Sequence, residues 1–263
     1  MIRKIILTIL FLSLACILNA NSTVDQNLLR TIVEHLEKNE TLAETYDFYQ
    51  DTHVKELNKD GSVEKTEKRT YRTIQLEGQR YFELVKFDDK ALDSDKKKEE
   101  AKNREKFLKA VRKKEKSEDE EDDFKWSDLV DKYQFTQHPA EGDAVYVISF
   151  KPRPGKLKER NRTERILNHV AGTLWVSSDY NLIKVEANLL SEVNYGLGII
   201  ADVQEMKLNY SQTKLNDVWL PENFNLRYKA RIFVKTKIRD IQTKYYNLTK
   251  RSETAAASAG KLR

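Results

Sequence analysis

The chain has 263 residues, 34% of them charged and 39% hydrophobic, and a net charge of +5. That length holds one large domain or two small ones and suffices for a hydrophobic core without disulfides, which a single cysteine could not form internally. Lys and Arg are interleaved with Asp and Glu, so a pI near 9.0 does not argue for nucleic acid as a partner.

The N-terminus has Arg3 and Lys4, then an apolar run from Ile5 to Leu18, then the small-residue step Leu18-Asn19-Ala20. This is the layout of a secretory signal peptide over residues 1–20, its apolar run being shorter than the ~20 residues that span a bilayer. An exported protein of the periplasm is expected, soluble or in peripheral contact with a membrane. Cys16, in Leu14-Ala15-Cys16, faintly matches a lipoprotein cleavage site, although Ser13 stands where such sites carry Leu. Two outcomes stay open for Cys16: removal with the signal, or lipidation that tethers the protein to the outer membrane.

Leu28, Leu29, Ile32, Val33, Leu36 and Leu42 recur at helical spacing within Ser22–Tyr46, with Asp25 as a cap. Strands are predicted at Tyr46–Leu57 and Ser62–Leu76, joined through Asp60-Gly61, and at Arg80–Lys86. Lys90–Lys116 reads as a charged helix followed by an acidic run, an insert of about residues 90–123. Strands resume at Lys132–Gln137 and Ala144–Phe150, with a short helix at Thr163–Val170. They continue at Gly172–Ser177, Asn181–Leu190, Ile199–Ser211 and Asn223–Tyr246, the last long enough to bend or to be two strands. Residues 251–263 read as a loose tail. Runs of strands broken by helices, without strict alternation, predict an α+β fold built on a curved antiparallel β-sheet, a single domain over residues 21–250.

No catalytic constellation accompanies this pattern. His35, His53, His138 and His169 lie far apart at no metal-ligand spacing, and neither a nucleophile elbow nor a phosphate loop occurs, so no enzyme, cofactor or metal is expected. Five Asn-X-Ser/Thr matches, Asn39-Glu40-Thr41 among them, are read as chance. The informative residues are apolar and alternate along the strands. Tyr146 and Ile148, Trp175, Ile183 and Val185, Met206 and Leu208, and Phe224, Leu226 and Tyr228 are candidate walls of a ligand cavity. Leu197, Ile199 and Ile200, between glycines, are a candidate apolar lip.

Val145–Phe150 with Lys151-Pro152-Arg153-Pro154-Gly155, Gly172-Thr173-Leu174-Trp175-Val176 with Leu182–Glu186, and Val218-Trp219-Leu220-Pro221 before a long alternating strand together resemble the outer-membrane lipoprotein-sorting (LolA/LolB-like) superfamily. More closely, the chain resembles uncharacterised exported LolA-like proteins that also carry a charged helical insert. The resemblance implies a half-open antiparallel barrel with helices packed on its concave face and an apolar cavity between them. It also implies a carrier of lipid or lipoprotein acyl chains that hands its cargo to an envelope receptor or transporter. A cavity arginine belongs to that pattern, with Arg72 and Arg80 as possible positions. The alternative is an RseB-like envelope sensor that docks a partner through the charged insert and transports nothing.

Overall fold

Asp25 accepts a hydrogen bond from the Asn27 backbone at 2.9 Å and so starts the first helix, α1, Gln26–Ala43. The computed structural model describes residues 22–114, 127–155, 157, 159, 162–195 and 201–251. The export signal with Cys16, the end of the charged insert, the lip residues Leu197, Ile199 and Ile200, and the tail beyond residue 251 lie outside the described residues.

Thirteen strands form one sheet: β1 Ser22–Thr23, β2 Tyr46–Leu57, β3 Val63–Leu76, β4 Gln79–Phe87, β5 Lys90–Ala91, β6 Tyr133–His138, β7 Tyr146–Pro152, β8 Val170–Val176, β9 Leu182–Leu189, β10 Val193–Tyr195, β11 Ala201–Leu215, β12 Val218–Ile232 and β13 Lys235–Lys250. Every pairing is antiparallel, in the order β1-β6-β7-β8-β9-β11-β12-β13-β2-β3-β4-β5, with β10 beside β11. The curved sheet does not close, and its two outermost strands are only two residues long. Short terminal strands limit the unpaired backbone that an open sheet presents to other chains. Three further helices are α2 Ser94–Lys114, α3 Ser127–Lys132 and α4 Arg162–Leu167.

One expectation shifts here, and one left open is decided. Ser22 and Thr23, read as the start of the first helix, instead pair with Gln137 and Thr136 as strand β1, because the helix cannot begin before its Asp25 cap. The segment Asn223–Tyr246 is two strands, split at Phe233-Val234. In this fold the apolar alternation runs straight through the turn, with no Gly or Asn to mark it.

The sheet has an inner face, on which α1 lies. Leu29 and Ile32 of α1 are buried with Val24, Ile148, Val176 and Leu182, and Leu36, Tyr146, Leu174, Val185 and Tyr210 pack around them. The helix is pinned at its far end by Asn39, whose side chain donates to the Trp219 carbonyl and accepts from the Trp219 amide, both at 2.8 Å. A second buried cluster, Tyr46, Val218 and Leu220, closes that corner. The Arg80 guanidinium donates to the Ala43 carbonyl at 2.7 Å, an acceptor that the end of α1 leaves open, and to the Tyr46 carbonyl at the start of β2 at 3.2 Å.

The body of the charged helix α2 packs on the opposite face, with Lys96 of its first turn standing over Phe87, the cross-strand partner of Arg69. Phe82 of β4 points towards Phe48, which in turn meets Tyr245, on the α1 side. Its neighbour Tyr81 alternates to the other face and there holds α2: its ring lies 5.0 Å from that of Phe107, and its hydroxyl donates to Glu100 at 2.6 Å. Arg112 pairs with Glu77 at 2.5 Å. On the inner face α1 is joined by two short helices at one end of the sheet: Val130 of α3 packs on the α1 cluster, and the Leu167 carbonyl of α4 accepts from the Tyr133 hydroxyl.

The turn between β8 and β9 is tied to the β11–β12 hairpin by Asp179. Burial alone would raise its carboxyl, but donation from Ser177, Lys214 and Trp219 holds it down at about 2. A depressed carboxyl stabilises the fold above its ordinary value of 3.8, and that contribution fades as pH falls from 3.8 towards 2. The expected result is a thermal midpoint that drops over this window in the native protein and drops less in Asp179→Asn, measured by circular dichroism melts across an acid series. Equal slopes would remove Asp179 from the acid response.

Candidate functional site

Strand register places the predicted wall residues. Cross-strand partners share a face, so Ile148, Leu174, Val185, Tyr210 and Phe224 form one inner row, which continues into Thr243, Thr52 and Arg69. The next row runs Phe150, Gly172, Ala187, Leu208, Leu226, Ile241, Val54 and Glu67. Met206 and Tyr228 begin a third, with Arg239, Glu56 and Lys65.

These residues divide by what covers them. Ile148 is fully buried beneath α1, and Tyr146 and Val185 pack on the same cluster, Tyr146 stacked against Tyr180 with ring centroids 5.6 Å apart. They are core. Met206, Leu208, Phe224, Leu226 and Tyr228, on β11 and β12, stand outside both buried clusters and remain half-buried. Together they make a strip of partly exposed apolar side chains beside the helix. Ile241 and Val54 extend it, and both follow from the same alternation in strands whose other inner residues are polar.

Two wall candidates sit elsewhere. Trp175 alternates with Leu174 and so lies on the outer face, where its indole donates to Glu141 at 3.0 Å and the Lys184 ammonium stands 4.4 Å from its ring centre. Ile183 falls at a bulge: Trp175 pairs with Lys184 but Val176 pairs with Leu182. The extra residue turns Leu182 into the core and leaves Ile183 half-buried outside it.

Beyond Ile241 and Val54 the inner face turns charged. Arg239 pairs with Glu56, and Glu67 takes both Arg69 and, at 2.6 Å, Lys65. The hydrogen bond from Lys65, with Arg69 beside it, keeps the Glu67 carboxyl below its ordinary value against the opposing effect of burial. Thr52 and Thr243 share a 3.0 Å hydrogen bond between their hydroxyls. The strip is thus apolar along β11 and β12 and rimmed by ion pairs on β13, β2 and β3. Such a surface favours a molecule with a hydrocarbon part and a polar end.

No family model matches the chain, and no curated protein matches it either. Among solved structures, one similar chain is a DUF1329 family protein from Desulfovibrio piger. It is 11% identical, with a TM-score of 0.30, over 86% of this chain and 94% of that one. A likeness of that size fixes neither family nor function.

Neither arginine considered for the cavity meets the strip. Arg72 is on the outer face, paired across strands with Glu83 at 2.5 Å. Arg80 is on the inner face but caps α1 and lies 5.3 Å from the centre of the Phe48 ring. Arg69 and Arg239 are the arginines in the strip's own rows. His138 is a strand residue, its Nε2 within 2.8 Å of the Ser149 hydroxyl. No group of His, Cys, Asp and Glu that could hold a metal occurs among the described residues.

A cavity of about 360 Å³ opens on the outer side of β12, β13, β2 and β3, lined by Asp51, His53, Lys68, Asn225, Gln242 and Lys244 among others. Its polar lining comes mostly from the alternate residues of the same strands, with Thr52, Arg69 and Thr243 of the inner row also bordering it. No helix among the described residues is long and apolar enough to cross a membrane.

Proposed function

We propose that the protein is a non-enzymatic carrier of the cell envelope that lays the acyl chains of a lipid or an acylated protein along the β11–β12 strip. The observation behind this reading is the set of five half-buried apolar side chains, Met206, Leu208, Phe224, Leu226 and Tyr228, beside a helix that covers only the neighbouring part of the face. Each buried methylene contributes about 0.8 kcal/mol, so a chain lying along this strip is held firmly by apolar burial alone. The Arg69, Lys65 and Arg239 rim would meet an anionic or polar head group. Tight binding of this kind calls for a receptor or transporter partner at release.

Native mass spectrometry of the purified protein tests this. Co-purifying lipid is the expected result, displaceable by a fluorescent fatty acid. Leu226→Arg places a charge on the strip at a site half open to water, so the fold survives, while lipid affinity falls about tenfold or more, the desolvation of one charge being worth at least that factor. Protein free of lipid from every preparation, or a Leu226→Arg variant that binds as well as the parent, would sink the carrier reading.

A further inference from the structure

We infer that the tip of the β12–β13 hairpin is a membrane contact, inserting Ile232, Phe233 and Val234 among the head groups of an anionic bilayer. These three consecutive side chains are 47, 63 and 93% exposed. Single exposed apolar residues are ordinary, but three in a row at a protruding turn are not. The described sheet has four hairpins with two-residue tips. Three are polar or contain glycine: Glu77-Gly78, Asp88-Asp89 and Asn216-Asp217. The fourth, Phe233-Val234, holds Phe233 at φ 53°, a left-handed backbone that costs a bulky side chain about 1–2 kcal/mol. A strained position normally given to Gly or Asn is here occupied by an exposed aromatic, and folding gains nothing from it.

Charge identifies the partner. Between Asn223 and Arg239 the hairpin carries six Lys and Arg and no Asp or Glu. Lys229, Arg231 and Arg239 pair with Glu205, Asp202 and Glu56 on neighbouring strands, whereas Lys235 and Lys237, just behind the tip, form no ion pair with a described residue. The last pair with β2 is Ile238↔Leu57, so on that side the hairpin projects three residue pairs, about 10 Å, past the sheet. An apolar apex backed by cations on a two-stranded ribbon matches a surface of anionic head groups over hydrocarbon. This contact does not require a loaded strip.

The test is sedimentation of the purified protein with vesicles of equal parts phosphatidylglycerol and phosphatidylcholine, compared with phosphatidylcholine alone. Binding to the anionic vesicles that weakens with salt is expected, with little to the neutral ones. Phe233→Gly with Val234→Asn suits the turn backbone, so the thermal midpoint holds while binding falls about tenfold, as expected when the inserted apolar groups are lost. Lys235→Ser with Lys237→Ser weakens binding to the anionic vesicles alone. Co-purifying lipid stays unchanged in both variants, which separates this result from the carrier reading. Equal sedimentation with neutral vesicles, none with either, or full binding by the Phe233→Gly, Val234→Asn variant overturns the proposal. A dimer that the same variant dissociates, with no vesicle binding, would instead assign the tip to a second copy of the chain.

Discussion

Gly172→Ala should lower the stability of the protein by about 3 kcal/mol, the upper end of what one added methyl costs a packed structure. Gly172 lies mid-strand on β8, between Phe150 on β7 and Ala187 on β9. A Cβ there would stand 2.8 Å from Phe150 Cζ and 2.9 Å from Ala187 Cα, and would overlap the Glu186 carbonyl oxygen outright. The Phe150 ring can swing aside. The β9 backbone cannot, because its carbonyl and Cα move only if the β8–β9 ladder shifts. Since β8 and β9 carry Val176 and Leu182 into the core beneath α1, a shift there is transmitted to the helix. Urea unfolding should show a lower midpoint with an unchanged slope. Gly61→Asn is the control: its position is open, and its φ of 87° is one that Asn tolerates, so its cost should stay below about 1 kcal/mol. Comparable losses for the two variants would show that the strands are not in such close approach.

Asn39→Ala should cost about 2–4 kcal/mol, from two lost hydrogen bonds and two backbone groups left without partners. Trp219 sits near the start of β12, and pairing of β12 with β13 begins only at Asn223↔Lys244. The Asn39 amide takes the place of the absent strand, offering one donor and one acceptor to one residue of backbone, and it is 7% exposed. Asn39→Asp keeps the acceptor but loses the donor. Its carboxylate would face the Trp219 carbonyl, so the variant should be nearly as unstable as Asn39→Ala at neutral pH and partly recover in acid, where a protonated carboxyl can donate again. Chemical denaturation at two pH values distinguishes this from a simple packing defect, which would not depend on pH. The same bonds commit the Asn39 side chain of Asn39-Glu40-Thr41 inside the fold.

Much of this architecture is legible in residue order. The period-two alternation over Met206–Tyr210 and Phe224–Ile232 places their apolar side chains on one face, because a strand has no other way to arrange them. Asp25 marks the helix start, and Asp60-Gly61 the β2–β3 connection. Three details escaped because their signals are weak or absent. The bulge at Ile183 exchanges two apolar neighbours and leaves no trace in composition. The Phe233-Val234 turn lacks turn residues. Trp175 is apolar on a strand polar enough on that side to hold it outward, through Glu141 and Lys184.

The linear order of residues thus determined the strands, their faces and the helix that must lie against them, all consequences of local periodicity and capping. Tertiary structure alone decided which part of the apolar face is sealed. That depends on where α1 is anchored, through an Asn39–Trp219 contact spanning 180 residues, and on Tyr81 drawing α2 to the far side of the sheet. Both are set by pairings between distant segments, so Ile148 becomes core while Leu226, equally apolar and on the same face, stays open to water.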